Sequence, residues 1–228
     1  MKKKAVKLLS ILLAAALLIG ASIGGTLAYL SAKSDTVVNT FTVGNINIKL
    51  EETDATHNND KYEKSFKMIP GQVYLKDPVV TVEGGSEACY LFVKIDETCT
   101  VAKGTEGTYN FSDFIDYGIV GETWESVPGT TNVYYTTVDA VSGNQAFPVL
   151  KNIYTGTDKQ TYANGSIIIK DTVTKEMMDA VQADLSKAPK LTFTAYAVQS
   201  ANIPGNSDAE KAATAWAVAQ NDGVPTNP

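Results

Sequence analysis

The chain has 228 residues and no arginine: all 19 basic residues are lysine, set against 25 Asp and Glu and a single histidine. Four of those lysines lie within the first seven residues, so beyond residue 28 there remain 15 lysines against 25 carboxylates, a net charge of −10. That sign argues against nucleic acid or an anionic membrane surface as the main partner, and without arginine no bidentate guanidinium recognition of phosphate is available.

The first 28 residues have the parts of an export signal. Lys2, Lys3, Lys4 and Lys7 form a basic start, an apolar run follows from Leu8 to Ile23, and Gly24-Gly25 breaks any helix. Signal peptidases need small side chains at the cut, and Thr26 and Ala28 supply them, which puts cleavage between Ala28 and Tyr29. The competing reading is an uncleaved anchor, since nothing charged interrupts Leu8–Ala32. Cleavage leaves 200 residues, enough for one good-sized domain, and the expected organisation is a signal peptide 1–28 and one domain 29–228.

From Asp35 to Leu50 the chain is rich in Thr, Val and Ile. Phe41 and Val43 alternate with polar residues, and Ile46, Ile48 and Leu50 alternate one position out of step, so a long strand with a bulge at Gly44-Asn45 is predicted. Glu51–Lys64 reads as an exposed polar loop. It contains His57, and Asp54, Asn58, Asn59 and Asp60 offer oxygen ligands for calcium in a spacing that matches no EF-hand.

Met68-Ile69-Pro70-Gly71 is a turn leading into a strand over Gln72–Val82. Gly84-Gly85 turns the chain again before a strand over Ala88–Ile95, in which Leu91, Val93 and Ile95 share the core face. Cys89 and Cys99, the only cysteines, would be far apart on extended chain, so a disulfide between them requires a turn near Asp96-Glu97. Metal binding by two cysteines without a neighbouring histidine is not expected.

Phe111, Phe114 and Ile115 suggest one short helical turn. Strands are expected again at Glu122–Val127, Asn132–Val138, Ala146–Tyr154 and Ser166–Lys170, with Pro148 at a sheet edge and Asn164-Gly165 as a hairpin turn. Thr172–Ser186 has the helical stripe Val173, Met177, Val181, Leu185. Lys190–Gln199 reads as a strand with Leu191, Phe193, Ala195 and Ala197 on one side. A second helix starts after Ser207, whose spacing to Glu210 is that of a capping box, and it can lay Ala209, Ala212, Ala213 and Trp216 on a sheet. Roughly nine strands with turns between them and two late helices predict a mainly β, antiparallel β-sandwich.

No catalytic machinery is legible. A zinc hydrolase needs at least a histidine pair, and His57 is alone; neither a G-x-S-x-G elbow nor a phosphate loop occurs. No catalytic residue, metal ligand or cofactor is therefore expected, and the chain reads as a non-enzyme.

Gly25-Thr26-Leu27-Ala28-Tyr29-Leu30, followed by Asn39-Thr40-Phe41-Thr42-Val43-Gly44-Asn45-Ile46, resembles the start of the TasA/camelysin family, whose signal peptides are of the type processed by the SipW class of signal peptidase. Ile69-Pro70-Gly71-Gln72 through Pro78, Gly85-Ser86-Glu87-Ala88, Ala195-Tyr196-Ala197-Val198-Gln199 and Ala215-Trp216 continue the resemblance, which is poor from about residue 100 to 165. The resemblance implies a jelly-roll sandwich, a Gram-positive source, and a secreted subunit of a biofilm-matrix or cell-surface fibre. Residues 29–50 would then be a donor strand that completes the sheet of a neighbouring copy. Its partners would be other copies of itself and, during export, the signal peptidase, with membrane contact only through the uncleaved signal. The alternatives are a strand that pairs within its own domain, a secreted adhesin or carbohydrate- or protein-binding module using the region 100–165, and a camelysin-like metalloprotease, for which the metal-binding histidines have no counterpart.

Overall fold

A computed structural model describes residues 31–35, 37–38, 45–53, 56–58, 61–63, 65–105, 107–153 and 165–221, and for 31–35, 37–38, 56–58 and 61–63 the backbone alone is described. The expected signal peptide with its Ala28–Tyr29 bond, the 39–44 part of the predicted long strand, and Asn164 lie outside these residues, as does most of the polar loop's oxygen-ligand set.

The fold is mainly β, with antiparallel pairing throughout. The large sheet has six strands in the order β10-β11-β8-β14-β1-β2, where β10 is Glu125–Ser126, β11 Val133–Val138, β8 Cys89–Thr98, β14 Lys190–Gln199, β1 Ser31–Asp35 and β2 Val37–Val38. Two three-stranded sheets follow: β12 (Gln145–Pro148), β7 (Val79–Val82) and β3 (Ile48–Glu51) in one, β6 (Val73–Leu75), β13 (Ser166–Ile169) and β9 (Ile115–Tyr117) in the other. β4 (Thr56–Asn58) and β5 (Lys61–Glu63) form a separate two-stranded ladder. Two α-helices, α1 (Lys175–Ala183) and α2 (Asp208–Asn221), lie among the described residues.

One face of the large sheet packs against the two small sheets. Cys89, Leu91, Val93 and Ile95 of β8 and Phe193, Ala195 and Ala197 of β14 share a core with Ile48, Leu50, Val80, Val82, Phe147, Ile167 and Ile169. The alternation of small and large apolar residues on β8 and β14 places one set here, as predicted. The opposite set is buried too. Tyr90, Phe92, Tyr196 and Val198 form a second core with Ala212, Ala215, Trp216 and Ala219 of α2, so the large sheet is covered on both faces. Trp216 stands edge-on to Tyr196 at 5.0 Å and tilted against Phe92 at 5.5 Å.

Several elements differ from their sequence reading. Gln72–Val82 is not one strand: Lys76-Asp77-Pro78 separates β6 from β7, and the halves enter different sheets, since proline cannot donate to a ladder. Within the polar Glu51–Lys64 stretch a short hairpin replaces the expected loop. Glu122–Val127 shortens to two residues because the amides of Thr123 and Trp124 both turn back to the Val120 carbonyl.

The α1 stripe ends early. Thr174 caps its first turn by accepting from the Met177 amide, and Val173, Met177 and Val181 are buried as expected. Asp184 then adopts an extended conformation and accepts from the Ser186 amide, which ends the helix and leaves Leu185 61% exposed. Pro148 does sit on an edge strand, β12, and Phe111–Asp113 does form a single 3-10 turn.

Candidate assembly edge

The β14 strand is the longest surface on which the N-terminal segment is laid. Its Thr, Phe, Tyr and Val residues suit a pleated, half-buried strand. On one side it pairs with β8 along its full length, from Lys190 opposite Thr98 to Gln199 opposite Cys89. On the other side the ladder covers much less: Ser31, Ala32, Lys33 and Ser34 of β1 stand opposite Val198, Ala197, Tyr196 and Ala195. Among the described residues, no strand pairs with Lys190–Thr194 on that side. Among the described residues, half of this β14 edge is thus without a paired strand, the kind of edge that can take up a further one.

The strand β1 is a small, polar occupant of this edge. Ser31-Ala32-Lys33-Ser34-Asp35 contains no large apolar residue, and polar strands specify register weakly.

Residues 45–53, of which 45–50 belong to the expected donor segment, behave differently. Ile46, Ile48 and Leu50 are buried in the main core, and β3 pairs with β7 from Ile48 opposite Val82 to Glu51 opposite Val79. Asn45 donates its side-chain amide to the Gly85 carbonyl at 2.6 Å, its own carbonyl accepts from the Glu87 amide, and the Asn47 amide donates to Ser86 Oγ. Lys49 pairs with Glu83. The segment 45–53 is thus part of its own subunit's core, whereas β1 and β2 pair at the end of the large sheet.

The sequence-predicted site residues are dispersed. Cys89 opens β8 and Cys99 follows its last residue, so the intervening strand separates them by about 30 Å. Both are free thiols, and the possible disulfide between them is not formed, because β8 runs straight through Asp96-Glu97 without the turn a bond would need. Burial pushes the Cys89 thiol up to about 12; Cys99, half-buried, is also raised, chiefly by burial and further by the Asp113 carboxylate. His57 lies in β4, in a ladder opposite Tyr62. Among the described residues, no group of three or more His, Cys, Asp and Glu side chains comes together as a metal site.

Two features escaped sequence reading. One is a surface depression of about 230 Å³ lined by Lys103, Tyr109, Ser112, Asp113, Lys170, Thr172 and Met177, with the Lys103 ammonium 5.8 Å from the Tyr109 ring. It is assembled from segments some 60 residues apart, which no local pattern announces. The other is a buried ion pair between Lys76 and Glu52.

No protein-family model matches the chain, and neither a curated protein nor a solved structure is significantly similar to it.

Proposed function

We propose that this chain is a secreted structural subunit that assembles into an extracellular or cell-surface fibre by exchange of its N-terminal strand. The observation that carries this reading is the β14 edge, occupied over Ala195–Val198 by a short polar strand and, among the described residues, without a paired strand over Lys190–Thr194. A second copy's N-terminal strand would complete the sheet through main-chain hydrogen bonds, the mode of recognition in which affinity comes from the backbone. In this reading the two-layered arrangement is a jelly roll, the chain is exported by cleavage after Ala28, and the cut frees the exchanging strand. The resemblance of Gly25–Ile46 to TasA-like proteins supports it. The exchanging part is narrower than residues 29–50, because Ile46, Ile48 and Leu50 lie in the subunit's own core.

The test is electron microscopy and sedimentation of protein beginning at Tyr29. Filaments that grow with concentration and disappear when residues 29–38 are removed are expected. A chain that stays monomeric under all conditions would refute the reading. The depression beside Lys103 and Tyr109 favours, as a second reading, a monomeric surface module that binds a small ligand there. That alternative predicts saturable binding without filaments.

A further inference from the structure

Lys76 and Glu52 meet inside the protein. Lys76 Nζ is 2.5 Å from Glu52 Oε2, and only 10% of the lysine side chain and 6% of the glutamate side chain are exposed. The lysine lies against an aromatic face, its Nζ 5.3 Å from the centroid of the Phe193 ring on β14. The second carboxylate oxygen, Glu52 Oε1, is buried without a hydrogen-bond partner.

Backbone contacts hold both groups in place. Asp77, 2% exposed, accepts from the Thr53 amide at 3.2 Å and so ties the residue after Glu52 to the residue after Lys76. The Lys76 amide donates to the Gly165 carbonyl.

An ion pair in such surroundings gains little net stability, because removing both charges from water offsets most of their attraction, and an unmet carboxylate oxygen adds to the cost. The same geometry brings two reactive groups together. It holds an amine in hydrogen-bond contact with a carboxyl group, and that fixed position removes the entropic cost of encounter.

We propose that Lys76 and Glu52 condense into an intramolecular isopeptide bond. One proton moves from Lys76 Nζ to Glu52 Oε2 along their hydrogen bond, giving a neutral amine and a carboxylic acid. The amine lone pair attacks Glu52 Cδ, the new C–N bond forms, the C–OH bond breaks, and one water leaves with the proton lost from nitrogen. The product is a secondary amide. No oxidant, reductant or co-substrate is required, and both buried charges are removed.

The bond would close a loop from residue 52 to residue 76 that contains the β4–β5 hairpin. It would join the end of β3 to the corner between β6 and β7. Tension entering through the N-terminal strand would then reach a covalent link just after β3. The chemistry itself does not depend on fibre formation and is read on the isolated subunit.

The experiment is intact-mass measurement and peptide mapping of the folded protein beginning at Tyr29. The expected mass is one water below that of the sequence, with a branched peptide joining the Glu52 and Lys76 fragments. Protein carrying Lys76→Arg, and separately Glu52→Ala, should show the full sequence mass. Wild-type protein at full sequence mass with both residues unmodified, or a water loss mapped elsewhere, would overturn the proposal whether or not the variants fold.

Discussion

The two cysteines show how placement, not composition, sets the chemistry of a residue. Cys89 is fully buried in the main core at the start of β8, and burial pushes its thiol up to about 12. The thiolate is the reactive form, so Cys89 is inert at neutral pH, whereas Cys99 is half-buried and accessible. In native protein one thiol should titrate with an aromatic disulfide reagent, and both should titrate after unfolding. Two rapidly titrating thiols in the native state would contradict this packing. Gly165 is constrained more severely. Its φ of +143° is a conformation L side chains rarely adopt, and a Cβ there would lie 2.8 Å from the carbonyl oxygens of both Leu150 and Lys76. The glycine in the predicted turn is thus required by the close approach of two backbones that no sequence pattern shows.

At the scale of elements, β8 and β14 are each buried on both faces, and the second burial depends on α2. That helix starts with the Ser207 hydroxyl accepting from the Glu210 amide, while Glu210 accepts from the Asn206 amide, a capping arrangement one residue wider than the usual box. Its small residues Ala212, Ala215 and Ala219 allow close approach to the sheet, and Trp216 fills the space between Phe92 and Tyr196. Replacing Trp216 with alanine should destabilise the fold by about 3–5 kcal/mol, measured by denaturant unfolding. A loss below about 1 kcal/mol would mean that α2 contributes little to the native state. Tyr90 and Tyr135 border the same core. Burial raises both phenols; beside it, Tyr90 donates towards Asp208, and the hydrogen bond from Tyr135 to Glu125 helps push Tyr135 up to about 12.

For the whole molecule, the decisive division lies between β1–β2 and β3. The first pair sits at a sheet edge and is polar or short; the second contributes Ile48 and Leu50 to the main core and is joined by side-chain bonds to the 83–87 turn. Protein truncated to begin at residue 39 should therefore keep a cooperative unfolding transition. Protein truncated to begin at residue 53 loses β3 and should not fold, as read by circular dichroism and thermal denaturation. Equal stability of the two truncated forms would show that β3 is not integral to the core.

Period-two alternation in Ala88–Ile95 and Lys190–Gln199, the stripe Val173, Met177, Val181 and the spacing of Ser207 to Glu210 were enough to specify two central strands, two helices and their core faces, because these are local patterns that repeat within one element. Local pattern did not reveal that Tyr90 and Phe92 face a second core, that Lys76-Asp77-Pro78 splits a strand between two sheets, or that Leu185 turns outward. Each depends on what another part of the chain places alongside. The edge of β14 and the meeting of Lys76 with Glu52 are of the same kind: the first is defined by where a strand stops pairing, the second by two segments 24 residues apart. Sequence alone determined the charge and the alternation of the strands; only tertiary structure decided which part of the N-terminal segment belongs to the core, since burial is a property of neighbours in space.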